Sequence, residues 1–469
     1  MRTRYTDQLE VEILSYGPVA ELGDVKLQPD EVVALEGVGT FEGVSVKKRA
    51  ERSIKAGKDL KDFVAKVHYE STRRGHASLS TSLTVFYEVR ECSRLLSLLL
   101  VSPPFGSHLQ ESQRRFEMTR ERLLVPAEVR GTELEREFND ALDACYRSYK
   151  RFVSEGVEIE DARYVLPLSS ATSLFSAVSF EAYVHLLKRR GSFPLEVGLW
   201  AERFSEVIES ISPMIFQSRL SFDSGEVYYP ISNPFRPPDD LIERVAGREL
   251  QKEDTVLLEL SVPRSLTEMM MVGRGDVVSS YATTFGALTI EGLSLVALHQ
   301  AIRHRTVPTS VESVHAAASR TLRKGIESGV VVPPSLKSKR GLVDEYLEAC
   351  RTMLELYEDL KDGGYPIAAP YALPQSLVVF AIRRYNLFNL IYPTGFVATR
   401  TCSYAQWEER AIAYRVWREI ATRSSELSSV MGEKCKHLGY CPEKSWCPII
   451  LKYVQYSDEE HERRSKRVS

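Results

Sequence analysis

A chain of 469 residues with formal net charge −3 is long enough for roughly two to three domains. It carries no overall basic field to gather nucleic acid or an acidic membrane. With 43% hydrophobic and 27% charged residues and only seven cysteines, it is neither a disordered chain nor a disulfide scaffold. The longest apolar run, around Leu95 to Val101, falls far short of the ~18 residues of a membrane span. The opening Met1-Arg2-Thr3-Arg4-Tyr5 is polar with no apolar stretch behind it, so a cytoplasmic protein without a signal peptide is expected.

In chain order, residues 11–15 alternate like a strand, and the charged run before Gly75 has helical character. Gly75-His76-Ala77-Ser78 follows, then a half-buried segment through Val85, Phe86 and Tyr87. Ser93-Arg94 opens an apolar helix that stops at Ser102-Pro103-Pro104, and Gln110-Glu111-Ser112-Gln113-Arg114 comes after it. Leu134, Phe138, Leu142, Cys145, Tyr149 and Phe152 fall at helical spacing and predict an amphipathic helix. That helix leads to Ala162-Arg163-Tyr164-Val165-Leu166-Pro167 and later to Lys188-Arg189-Arg190.

The second half repeats this order. Residues 255–260 read as a strand, and Ser294 opens a helix that must end by Pro308, which has no N–H to donate. Just past its apolar face stands Gln300-Ala301-Ile302-Arg303-His304-Arg305. Three consecutive basic residues cannot share one helical face, so some converge at the helix end. Guanidiniums around an imidazole suit phosphates or a flat, oxygen-rich ring, the plain alternative being a solvated charge cluster. Leu342, Tyr346, Cys350, Met353 and Tyr357 mark a second amphipathic helix. It is followed by Tyr371-Ala372-Leu373-Pro374, Arg400 and Ala405-Gln406-Trp407-Glu408. Ser112 and Ser313 stand 201 residues apart, Pro167 and Pro374 207, Arg190 and Arg400 210. So slow a drift indicates a tandem duplication of whole domains. The expected division is a first copy over 1–228, a Pro-rich linker over 229–250, a second copy over 251–450 and a charged tail over 451–469.

Each half resembles the flavin-dependent thymidylate synthase family. Its signature is Arg-His-Arg, seven residues, Ser, one residue, Arg, with an upstream Gly-His-x-Ser/Thr, a central Ala-Arg-x-x-Leu-Pro and a late Ala-Gln-Trp-Glu. Arg303-His304-Arg305 with Ser313, Ser112-Gln113-Arg114, Gly75–Ser78, Ala162–Pro167 and Ala405–Glu408 match these motifs. The resemblance implies an α+β fold in two tandem copies, mixed helices around a β-sheet core. It implies reductive methylation of dUMP to dTMP with FAD, with NADPH and methylenetetrahydrofolate as co-substrates. It further implies a homodimer imitating the family's tetramer.

The copies depart from the family in complementary ways. The first has Ser102-Pro103-Pro104 for Arg-His-Arg, Leu99 for the substrate-binding Gln, and Ser179 for a flavin-binding Asn. The second lacks Gly-His-x-Ser and has His315 and Pro370 where the first has Arg114 and Arg163. Pairing the copies restores one site. By resemblance, Arg400 and Ser112 act on the pyrimidine, and Gln110, Glu111, Arg114, Arg163, Gln300 and Arg303 bind substrate alongside them. His76, Ser78, Arg303, His304, Arg305 and Asn389 bind flavin. Plain readings stand beside these: Arg163 in an ion pair with Asp161, Ser112 and His76 as caps or turn residues, Gln406 and Glu408 as support. Cys435, Cys441 and Cys447, at C-x5-C-x5-C spacing with His437, follow no standard zinc pattern; they are read as structural, with no metal. The alternative function is a catalytically inactive nucleotide- or flavin-binding relative.

Overall fold

The computed structural model describes residues 3–56, 60–74, 76, 78–103, 106–221, 232–266 and 280–465. Gly75, Ala77, Pro104, the first part of the linker and the last tail residues lie outside them.

Each repeat builds a four-stranded antiparallel sheet. The first uses β1 (Glu10–Gly17), β2 (Thr84–Ser93), β3 (Gly106–Gln110) and β4 (Ala171–Ser179) in the order β1-β2-β4-β3. The second uses β5 (Thr255–Ser261), β6 (Gly286–Ser294), β7 (Thr309–Val311) and β8 (Val378–Asn386) in the order β5-β6-β8-β7. The fold is α+β, as expected, and the register makes the duplication explicit. Ser93 pairs with Ala171 and Thr84 with Ser179; Ser294 pairs with Val378 and Gly286 with Asn386. Asn386, not Asn389, is therefore the counterpart of Ser179, and Arg383 takes the place of Ser176.

The helices repeat as well. β2 runs into α1 (Arg94–Leu100), followed by α2 (Glu133–Ser154) and α3 (Leu195–Ile211). β6 runs into α4 (Leu295–Ala301), followed by α5 (Arg340–Asp362) and α6 (Trp407–Arg423). Ser93 caps α1 by accepting from Leu96 N, and Ser294 caps α4 by accepting from Ala297 N. A buried glutamate from the third helix closes each junction. Glu196 accepts from Ser93 N at 2.7 Å and Ser93 Oγ at 2.6 Å; Glu408 does the same with Ser294 at 2.8 and 2.6 Å. The strand-to-helix corner that aims the residues after α1 and α4 is thus locked identically in both copies.

Two compact units result, and they do not follow the repeat boundaries. One comprises Met1–Phe235 with Val332–Gln375; the other comprises Arg236–Val331 with Ser376–Ser469. The stretch 332–375, second-copy by sequence, belongs to the first unit because the apolar stripe of α5 packs on that of α2. Phe152 and Tyr346 rings lie 6.1 Å apart, and Arg151 pairs with Glu345 at 2.6 Å. Beside the helices, equivalent segments cross: Leu168 N donates to Leu373 O and Gln375 N to Leu166 O, around the Pro167–Pro374 bridge. Under the first sheet, Tyr87, Tyr183, Trp200 and Phe204 pack edge-on or stacked with centroids 5.0 to 6.0 Å apart. The second sheet covers Ile242, Leu250, Ile290 and Phe380. No helix among the described residues is long and apolar enough to cross a membrane.

Candidate active site

In the second unit, α4 ends at Ala301 and the chain turns back on itself. His304 N donates to Ala301 O and Val307 N to His304 O, which swings Arg303, His304 and Arg305 off the helix axis. The sequence expectation of convergence at this helix end holds in the geometry. Arg400, closing the short helix Phe396–Arg400, meets His304: its Nε and Nη2 lie 2.9 and 2.6 Å from His304 Nε2. A guanidinium only donates, so His304 Nε2 accepts and the ring is neutral. Burial first, then Arg400, Arg383, Arg303 and Arg305, drive its pKa down to about 2. The counter-charge comes from Glu409, buried on the first turn of α6, whose Oε2 lies 2.8 Å from Arg400 Nε. Burial also lowers Arg303, with Glu409 opposing and Arg400 adding to the shift.

Behind this layer, Arg383 is fully buried on β8. It pairs with Glu291 at 2.9 Å and lies over the Phe396 ring at 4.5 Å, while Tyr385 OH and Thr289 Oγ1 donate to the same glutamate. Several buried polar atoms here have no hydrogen-bond partner among the described residues: Gln300 Nε2, Asn389 Oδ1, and Arg383 Nε and Nη2. Asn389 Nδ2 is spent on Thr306 Oγ1 at 2.9 Å. Sequence reasoning missed Glu409, Glu291 and Arg383. The doubled glutamate of Trp407-Glu408-Glu409, and a charged pair on adjacent apolar strands, were the available signals.

In the first unit, Glu160 ties together Arg114 and Arg163, two of the expected substrate-binding residues. Its carboxylate pairs with Arg114 Nε at 2.8 Å, and its backbone carbonyl accepts from Arg163 Nε at 3.0 Å. Arg163 is buried, while Asp161 accepts from Ser335 N and Oγ. Gln110 Nε2 donates to Ser97 Oγ, and Glu111 pairs with Arg122. Ser112 is exposed, its Oγ accepting only from Arg114 N in the described contacts. His76 and Ser78, both exposed, line a cavity of about 950 Å³ with Val33, Phe41, Glu70 and Arg74.

The second-copy counterparts of this motif are consumed by structure. Ser313 Oγ donates to Arg236 O at 2.6 Å and caps the helix Val314–Lys324. Glu312, buried, pairs with Arg320 and accepts from Phe380 N. Conversely, the first-copy Arg190 is exposed and donates to Leu187 O on its own helix, with no histidine against it in the described contacts. Gln406 caps α6, accepting from Glu408 N and Glu409 N, so both it and Glu408 are supports instead of ligands.

The family model for "thymidylate synthase complementing protein" matches residues 30–213 and again residues 248–424. The flavin-dependent thymidylate synthase of Pyrococcus abyssi is 32% identical over 196 residues, covering 40% of this chain and 77% of that protein. That of Thermococcus onnurineus is 30% identical, covering 40% and 76%. Among solved structures, the UMP/dUMP methylase PolB from Streptomyces cacaoi, bound with 5-Br dUMP, covers 47% of this chain and 98% of its own. Its identity is 20% and its TM-score 0.34. With one model match on each repeat and the same strand order in both sheets, the chain belongs to the thymidylate synthase complementing protein family and carries the family's domain twice.

Proposed function

We propose that this chain is a flavin-dependent thymidylate synthase that methylates dUMP to dTMP, using methylenetetrahydrofolate and NADPH, at a site assembled from both repeats. The carrying observation is the division of labour. Ser112 stands exposed beside Arg114 and Arg163, while its counterpart Ser313 is locked into a cap; His304 and Arg400 meet, while Arg190 donates to its own helix.

The residues fit an FAD. Asn389 Oδ1 is a buried polar atom awaiting a partner, and Arg303 is a cation shielded from water. Arg303, His304, Arg305 and Asn389 would hold the cofactor, with His76 and Ser78. Bound and reduced by NADPH, it supplies the hydride that completes the methyl group, so no cysteine nucleophile is required. Arg114 and Arg163 would hold the nucleotide phosphate through charge-assisted hydrogen bonds, with Gln110 and Glu111 beside them. Gln300 would orient the pyrimidine with its free N–H, and Ser112 hydrogen-bonds near the reacting carbon. Neutral His304 and Glu409 hold the Arg400 guanidinium in place, so it can stabilise negative charge developing on the ring without reorganising. Two chains in a homodimer would supply the four domains of the family's assembly.

Acid-released FAD in the purified protein, and tritium release from ring-labelled dUMP that requires NADPH and methylenetetrahydrofolate, are the expected results. A protein that binds dUMP yet takes up no FAD and releases no tritium would establish the inactive nucleotide-binding alternative.

A further inference from the structure

Four of the seven cysteines gather in one place. Cys92, Cys145 and Cys350 are buried in the first unit, whereas Cys402, Cys435, Cys441 and Cys447 line one small pocket of the second. They arrive from two directions. Cys402 lies in the turn between the helix that ends at Arg400 and α6; the other three come from the irregular segment beyond Met431. That segment has a small core of its own, in which Cys435, Cys441 and Ile450 pack with Trp446, Ile449 and Tyr453. So little apolar area holds a segment of this length poorly without a staple.

We propose that Cys402, Cys435, Cys441 and Cys447 ligate a four-iron, four-sulfur cluster that joins the C-terminal segment to the turn behind Arg400. Four thiolates are the full ligand set of such a cluster, and Cys441 and Cys447 are each followed by proline, as the last cysteine of ferredoxin-type runs is. A single zinc would draw four sulfurs to about 2.3 Å from one centre. Here the four cysteines share the wall of one pocket, and no group of three or more His, Cys, Asp or Glu among the described residues forms a site for one ion. The four cysteines are unbonded to one another. Lys434, also on the pocket wall and paired with Glu443, supplies a cation beside what would be a dianionic cluster, and Cys402 Sγ lies 3.5 Å from Glu443 Oε1. Each thiol gives up its proton on binding iron.

The test is iron and acid-labile sulfide in the full chain, purified without oxygen and reconstituted with ferric iron, sulfide and dithiothreitol, which reduces part of the iron to ferrous, with FAD measured separately after acid release. About four iron and four sulfide per chain are expected, with an electron paramagnetic resonance signal after dithionite reduction. Cys441→Ala and Cys447→Ala should each bring iron to background, while Cys350→Ala keeps it. One zinc per chain without sulfide would overturn the proposal in favour of a single ion. Absence of metal after reconstitution, with the four cysteines either disulfide-linked or freely alkylated, would overturn it altogether. FAD content reads the flavin proposal independently, so either can fail alone.

Discussion

His304 shows what one residue contributes here. Its Nε2 must stay unprotonated to accept from Arg400, and burial first, then four arginines, enforce that. Its folded pKa of about 2 lies below the unfolded value of 6.5, so the unfolded chain binds the extra proton in that window. The stability it contributes is full above pH 6.5 and is lost as pH falls toward 2. A His304→Gln variant keeps an acceptor that cannot titrate. Its acid limb, followed by urea unfolding between pH 4 and 7, should be shallower than wild type by at most about 1.4 kcal/mol per pH unit. Parallel limbs would mean that His304 titrates normally. Arg303 is the matching case for the ligand: a shielded cation whose charge Glu409 only partly offsets. Arg303→Ala should weaken FAD binding roughly tenfold or more, the ~1.5–3 kcal/mol of a charge-assisted bond. Arg190→Ala should leave FAD content unchanged, and an equal loss in both would refute the assignment. The basic triplet and Arg400 were legible in the sequence because charge at a helix end stands out. Glu409 was not, since a carboxylate becomes a partner only once a fold brings it near.

At the scale of elements, the two serine–glutamate locks are the same device twice. Removing either glutamate strips partners from a buried N–H and a buried hydroxyl, each costing ~1–3 kcal/mol. Glu196→Ala and Glu408→Ala should therefore lower the thermal midpoint of their own units by several degrees, read by calorimetry as separate or merged transitions. Glu196 is the more telling. Burial raises it to about 7, against hydrogen bonds from Ser93 and Tyr371, so it binds a proton in the fold that the unfolded chain has released. Its contribution is greatest below pH 4.5 and is lost as pH rises through 7, the opposite sense to His304. In the first copy, Leu195-Glu196 stands where the second has Trp407-Glu408. The matching hydrogen bonds from Ser93 and Ser294 show that the glutamate is the part the corner requires. The amphipathic helices α2 and α5 were readable from spacing. The central strands β4 and β8 were not: β4 is rich in Ser, Thr and Ala, and β8 carries the buried Arg383 in an otherwise apolar run.

At the scale of the whole molecule, the duplication is legible as a repeat of motifs, but the exchange of residues 332–375 into the first unit is not. It depends on two apolar stripes finding each other across nearly two hundred residues, which no local pattern encodes. What the sequence does carry is complementarity of loss, and it yields the sharpest prediction. Arg163 from the first copy and Arg400 from the second serve the same nucleotide in the proposed site, one at the phosphate and one at the ring. Arg163→Ala should weaken dUMP binding by calorimetry roughly ten- to a hundredfold, for the ~1.5–3 kcal/mol of one charge-assisted contact. Arg400→Ala should abolish tritium release. The double variant should turn over no more slowly than the worse single one, because groups acting as a unit are strongly non-additive. His315 and Pro370 stand at the matching positions of the other pairing, which has Ser102-Pro103-Pro104 in place of a basic triplet. His315→Ala should change neither binding nor tritium release. A loss as deep as that of Arg163→Ala would mean that both pairings carry live sites and that the copies have not divided the work.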